Sequence, residues 1–239
     1  MFAIARGELV QIFRNRLVLL TSIILPVAFS AYLIYQHDVF EKLGSIGFIA
    51  AAMLFVVTGI GFYTSVVTTL ASRRQNLFLK RLRSTAASDR GILSGLVLPL
   101  AGIAVLQIAV ILIVLGVVVG APANVPMLVV AVLLTVILML GFGLATAGLT
   151  NSPEHAQVTT LPVTMIVIGV SFWVGITGTD QLTVPKRLLP GGASTELVVD
   201  AWNGTATWAQ ALPQFGPVVA WLVVALAVAS RLFRWEPRR

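Results

Sequence analysis

Of 239 residues, 58% are hydrophobic and only 10% charged, with a mean hydropathy of +0.97. Water-soluble domains carry about a quarter charged residues, so this composition excludes a soluble globule and makes lipid the solvent. No cysteine is present, which excludes a disulfide framework and a thiolate metal site, and the net charge of +7 is scattered over span edges rather than gathered on the single basic face a nucleic acid needs.

Residues 1–16 place Phe2, Ala5, Leu9, Ile12 and Phe13 on one side of a helix, with Arg6, Glu8, Gln11, Arg14 and Asn15 mostly opposite. That pattern predicts a helix lying in the membrane interface. A signal peptide is the rival reading, but the apolar stretch that follows is too long for one and shows no convincing cleavage site.

Six apolar stretches follow, Leu17 to Tyr35, Gly44 to Ala71, Ile92 to Gly120, Val125 to Thr150, Ala156 to Gly178 and Gly216 to Leu232. Each approaches or exceeds the roughly 20 residues that a helix needs to cross about 30 Å of hydrocarbon. Charges are absent from their interiors, and Pro26, Pro99 and Pro162 are expected to kink the first, third and fifth. With the N-terminus inside, thirteen of the sixteen basic residues fall in inside segments, against Lys42, Lys186 and Arg187 outside. The positive-inside rule therefore predicts both termini in the cytoplasm. Arginine far exceeds lysine, as in GC-rich bacterial genomes, so the expected location is a bacterial cytoplasmic membrane, with residues 1–239 forming a single transmembrane domain.

Two connections are long. Residues 179–215 hold Ser194, Thr195 and Glu196 ahead of Leu197, Val198, Ala201 and Trp202. Ser194 is expected to cap a short helix whose apolar face dips toward lipid or onto the bundle, with Asn203-Gly204 stopping it. Residues 72–90 place Leu77, Phe78 and Leu82 as an apolar ridge among five basic residues, ahead of a new helix start near Ser88-Asp89. By pattern alone this is either a short amphipathic helix or a basic loop held against anionic headgroups.

Several chemistries are missing. Ion-coupled carriers need Asp, Glu or His at depth, whereas these interiors hold only weakly polar groups, among them Thr58, Tyr63, Thr64, Gln107, Thr135, Thr164 and Ser171. None of the three lysines follows a glycine, so the phosphate-cradling GxxxxGK[ST] loop is absent and any ATP must be bound by another chain. His37 and His155 sit at span ends beside Asp38 and Glu154, as solvated boundary residues do, and no catalytic constellation is found. Gly91 with Gly95, Gly116 with Gly120, Gly141 with Ala145 and Gly143 with Ala147 are small-residue pairs of the kind that lets helices approach closely.

This layout resembles the membrane subunits of type-2 ABC exporters, the family that includes daunorubicin-resistance permeases. The most specific piece is Ser72-Arg73-Arg74-Gln75-Asn76-Leu77-Phe78-Leu79-Lys80-Arg81-Leu82-Arg83-Ser84-Thr85, similar to the family's first cytoplasmic loop. Asn151-Ser152-Pro153-Glu154-His155-Ala156-Gln157 and the long segment before the last span add to it. Departures are Gln75 where a glutamate is common, Ala86 in place of the usual proline, and Ser171-Phe172-Trp173-Val174-Gly175 in place of a Ser-Gly pair.

The resemblance implies an all-α membrane fold of six transmembrane helices with an N-terminal interfacial helix, a cytoplasmic coupling helix and short re-entrant helices before the last span. It also implies a separate ABC ATPase carrying ATP and magnesium, with no cofactor on this chain. A second permease chain is implied too, with a hydrophobic or amphipathic cargo such as a drug, peptide antibiotic or lipid-linked molecule. A non-transporting membrane anchor or sensor, and an ion-coupled carrier, are the other readings. Leu77, Phe78 and Leu82 are expected to form the ATPase-docking ridge, rimmed by Arg74, Arg81 and Arg83. If the second and fifth spans of paired subunits face each other, Phe55, Thr58, Phe62, Met165 and Phe172 are expected to line the cargo path.

Overall fold

The computed structural model describes residues 2–85, 88–233 and 235. All secondary structure among them is helical. Helix α1 spans Phe2–Arg14 and α2 residues 16–35, with a π-helical turn over Leu20–Ile24. Helix α3 (His37–Leu43) turns off by 80°, and α4 (Ile46–Gln75) contains a second π segment, Val57–Tyr63. Then come α5 (Phe78–Arg83), α6 (Asp89–Val118), α7 (Val125–Leu149) and α8 (Pro153–Thr177). Helices α9 (Thr183–Leu188), α10 (Gly192–Asn203) and α11 (Trp208–Leu232) complete the chain. Helices α4, α6, α7, α8 and α11 are each long and apolar enough to cross a membrane, and α2 with its bent partner α3 makes a sixth.

Span starts follow local capping chemistry. Ser45, Ser88, Asn124 and Ser152 accept from the backbone N–H three residues on, at 3.1 to 3.3 Å, satisfying first-turn donors that hydrocarbon cannot hydrate. Thr207 and Gln210 form a capping box, so α11 begins at Trp208, eight residues before the expected start at Gly216, and absorbs Pro213 and Pro217. Ser194, expected as a cap, lies inside α10, whose N-cap is Gly191 at φ +95°. A left-handed residue opens that helix, and glycine takes this conformation without steric cost. Gly204, at φ +70°, stops it as expected.

Helix α4 is the innermost element. Its most apolar window is 89% buried, against 28% for α6 and 22% for α11. Helices α2, α6, α7, α8 and α10 all pack around it. Close approach explains why: a Cβ at Gly143 of α7 would lie 2.8 Å from Val66, and one at Gly61 would lie 2.9 Å from the Ser22 carbonyl oxygen. That carbonyl is the acceptor that Pro26, lacking an N–H, leaves without its α-helical donor. Both π segments therefore meet where α2 crosses α4. Gly141 similarly lets α7 approach Ala225 of α11, at 3.1 Å from its would-be Cβ. Of the small-residue pairs, those around Gly141 and Gly143 thus work between helices, whereas the would-be Cβ of Gly91 meets only Ser88 of its own cap.

Helix α1 is more than a lipid-surface element, because it packs on α6 and buries Ile12 in the core. Gly61→Ala should lower the thermal unfolding temperature in detergent, since overpacking costs about 1 to 3 kcal/mol. Gly102→Ala, facing open space on α6, should leave it unchanged or raise it. Equal effects of the two substitutions would contradict the close α2–α4 crossing.

Candidate functional site

At the basic end, α4 runs four residues beyond the expected Ala71 and carries two arginines into the helix. Arg73 pairs with Glu8 of α1, at 2.7 Å from Nε and 2.6 Å from Nη2 to Oε1, and also donates to Gln11. Its guanidinium lies 5.2 Å from the Phe78 ring centroid. Burial raises the Glu8 carboxyl above the usual carboxylate range, more than the Arg73 charge lowers it. These contacts tie α1, α4 and α5 into one unit.

Arg74, expected on the rim of the docking ridge, is instead buried, with 3% exposure. It donates to the carbonyl oxygen of Thr150, the residue that caps α7. Thr150 Oγ1 reaches the Thr146 carbonyl at 2.9 Å and Thr159 Oγ1 at 2.8 Å, and Thr146 Oγ1 meets the Tyr63 hydroxyl at 2.8 Å. A cation against a helix C-terminal carbonyl is favoured by the helix dipole as well as by the hydrogen bond. Arg74 therefore joins the end of α4 to the α7–α8 connection.

The ridge is also reshaped. Leu77 takes a left-handed conformation, φ +57°, and remains 47% exposed. That residue breaks the helical register between α4 and α5, so Leu77 does not continue the stripe of Phe78 and Leu82. Phe78 and Leu82 are half-buried against the core, and Leu79, absent from the expected ridge, is fully buried. Arg81 and Arg83 are exposed, as expected of a rim; Arg83 bonds Asp89 at 3.1 Å and lies 4.9 Å from the Trp235 ring.

The opposite end is closed by α9 and α10. A Cβ on Gly191 would lie 3.3 Å from Phe55 and from the Val167 carbonyl. Phe55 is nine residues inside α4 and Val167 ten inside α8, so the turn reaches about 14 Å into the bundle at 1.5 Å per residue. Helix α10 then climbs back, and Asn203 donates to Ser45 Oγ at 2.9 Å and accepts from Gly47 N at 3.1 Å. The dip is thus onto the bundle. Its charged groups Arg187, Glu196 and Lys186 are paired: Arg187 grips Glu196 through two bonds of 2.6 and 2.7 Å, and Lys186 Nζ donates to Thr177 Oγ1 and the Gly178 carbonyl at 2.8 and 2.6 Å. Ser194 Oγ and Trp202 Nε1 of α10 are buried without a hydrogen-bond partner among the described residues.

The five expected path residues do not come together. Phe55, Thr58 and Phe62 are buried inside α4's own surroundings, at 0%, 0% and 3% exposure. In this conformation α4 is enclosed by its own chain, so these three side chains face other helices of the same bundle. Phe172 is half-buried, edge-on to Phe48 at 5.3 Å between ring centroids. Met165 alone is open, on an outer α8 stripe with Leu161, Ile166 and Trp173.

Because the chain has no cysteine, the packing of the re-entrant turn can be tested without background. Oxidation of a Ser45→Cys/Asn203→Cys double variant in native membranes should form an intramolecular disulfide and block alkylation of both thiols. Full alkylation after oxidation would contradict the docked position of α10.

Residues 1–173 match the family model described as ABC-2 type transporter, from α1 through most of α8. No curated protein matches the chain in sequence. The match covers well over half of the chain and the helical layout agrees with it, so the protein belongs to the ABC-2 type transporter family and is a multi-pass membrane subunit of an ABC transporter.

Proposed function

We propose that the chain is the permease subunit of an ATP-driven exporter, moving a hydrophobic or amphipathic compound outward and energised by a separate ABC ATPase docked at α5. One observation carries the docking surface: Leu77 is a large apolar residue, 47% exposed, held in a left-handed conformation that favours glycine. Such strain costs of order 1 kcal/mol or more and persists where a function retains it. The left-handed turn seats α5 so that Leu79 is buried and Phe78 meets Arg73, and it leaves the Leu77 side chain outside, where a partner's apolar groove would cover it. Exposed Arg81 and Arg83 suit the polar rim of such an interface, where charges set encounter and register.

The positive-inside bias puts α1, α5 and both termini in the cytoplasm, where ATP is. ATP and magnesium then belong to the partner, consistent with the missing phosphate loop. Two copies of the chain, or this chain and a paralogue, enclose the cargo path, for which the outer stripe of α8 around Met165 is the best-placed lining. Met and aromatic groups adapt to varied apolar cargo. Closure of the ATPases moves α5, and the bundle alternates between inward-open and outward-open states.

Leu77→Gly separates docking from folding. It relieves the left-handed strain, so thermal stability should hold or rise. Co-purification of the proposed ABC ATPase partner should fall, because burying such a side chain is worth roughly 1.5 to 3 kcal/mol before association costs. Unchanged co-purification and unchanged cargo-stimulated hydrolysis would remove α5 from the interface.

A further inference from the structure

A continuous apolar groove runs along the outer surface between α2 and α6. Its first section, about 390 Å³, is lined by Phe13 of α1, by Ile23, Val27 and Ala31 of α2, and by Leu106 and Val110 of α6 among others. A second section of about 420 Å³ shares Ala31, Ile34 and Val114 with it and continues to Tyr35 and His37. From Arg16 to Ile34 is about 27 Å at 1.5 Å per residue, so the groove crosses most of a hydrocarbon layer about 30 Å thick, and an acyl chain anchored at its Arg16 end fills the section around Phe13, Ile23 and Val27.

Two arginines follow the groove residue Phe13 in the chain. Phe13, 60% exposed, is followed by Arg14 at the end of α1, and Arg16 opens the helix that forms one wall. Both arginines are exposed, and neither makes an ion pair among the described residues. Arg73, by contrast, is consumed by Glu8. The wider groove between α6 and α7, about 500 Å³, has no such anchor, since no charged residue occurs between Arg90 and Glu154.

We propose that this groove is a binding site for one anionic glycerophospholipid, its phosphate held by Arg14 and Arg16 and one acyl chain laid between α2 and α6. Arginine suits phosphate because its planar fork donates two parallel hydrogen bonds. Basic clusters beside membrane helices select anionic headgroups in the same way. The site also abuts the α2–α4 crossing: Gln107 lines both the groove and a small inner cavity with Ser22 and Gly61, so an acyl chain seated there braces the joint where the two π segments meet. This site stands apart from α5 and does not rest on the export reading.

Native mass spectrometry of the full-length protein tests it, with phosphatidylglycerol and phosphatidylcholine of identical acyl chains added in turn. Wild type should retain one phosphatidylglycerol in preference to phosphatidylcholine. Each arginine near the surface contributes roughly a fivefold preference, so Arg14→Gln/Arg16→Gln should lose most of it. Arg81→Gln/Arg83→Gln, remote from the groove, should keep it. Ala31→Phe fills the groove at an exposed position and should reduce retention of both lipids. Equal retention of the two lipids by wild type would overturn the proposal. So would persistence of the preference in Arg14→Gln/Arg16→Gln, while full retention by Ala31→Phe would show binding by surface charge alone and overturn the groove.

Discussion

Arg74 is the interaction on which the architecture turns. A guanidinium at 3% exposure demands acceptors, because moving a charge out of water without them costs several kcal/mol. Its acceptor is the carbonyl oxygen of Thr150, where α7 ends and its last backbone groups lack helical partners. Each group solves the other's problem. Through Thr150, the hydroxyls of Thr146, Thr159 and Tyr63 join the same network, so α4, α7 and α8 converge on one residue of the second span.

Around that point α4 acts as a shaft. At the basic end Arg73 holds α1 and Phe78, so the proposed coupling helix α5 is attached to α4 rather than loosely tethered. Near the other end Phe55 supports Gly191, and Ser45 with Gly47 holds Asn203, so the re-entrant pair α9–α10 rests on the same helix. The π segment Val57–Tyr63 lies between these two attachments. In the proposed cycle, a push on α5 reaches α7 and α8 through Arg74 and reaches the outer cap through α4, with the π segment as the joint between them.

Much of this was legible in the sequence, and the misses share a cause. Span number and approximate ends followed from apolar run length, and the start of α6 from Ser88-Asp89, because hydrocarbon makes both requirements local, whereas the caps Asn124 and Ser152 emerged only with the structure. Which helix lies inside was not legible. Lipid and protein interior are alike apolar, and the most hydropathic window, in α6, is 28% buried while the less hydropathic α4 is 89% buried. The burial of Phe55, Thr58 and Phe62 within the single chain was not legible for that reason. The small residues of α4, among them Gly47, Gly59 and Gly61, were the available signal, since only a helix approached from several sides needs them. Arg74 and Arg73 are adjacent and chemically identical, so no periodicity distinguished the one that turns inward from the one that meets Glu8. Leu77 misled the ridge because a left-handed residue resets the helical phase, and no residue type there announced it.

The central claim is that Arg74 makes α5 and the start of α8 move as one body when the ATPase binds ATP. Spin labels on Arg81→Cys and His155→Cys, both exposed and in a chain free of cysteine, report that distance by pulsed electron resonance in the assembled complex. The account predicts a distance that ATP leaves unchanged, and one that shifts or broadens with ATP once Arg74→Gln is added to a complex that still retains its ATPase. An ATP-dependent shift with Arg74 intact, or identical distributions with and without the substitution, would contradict it.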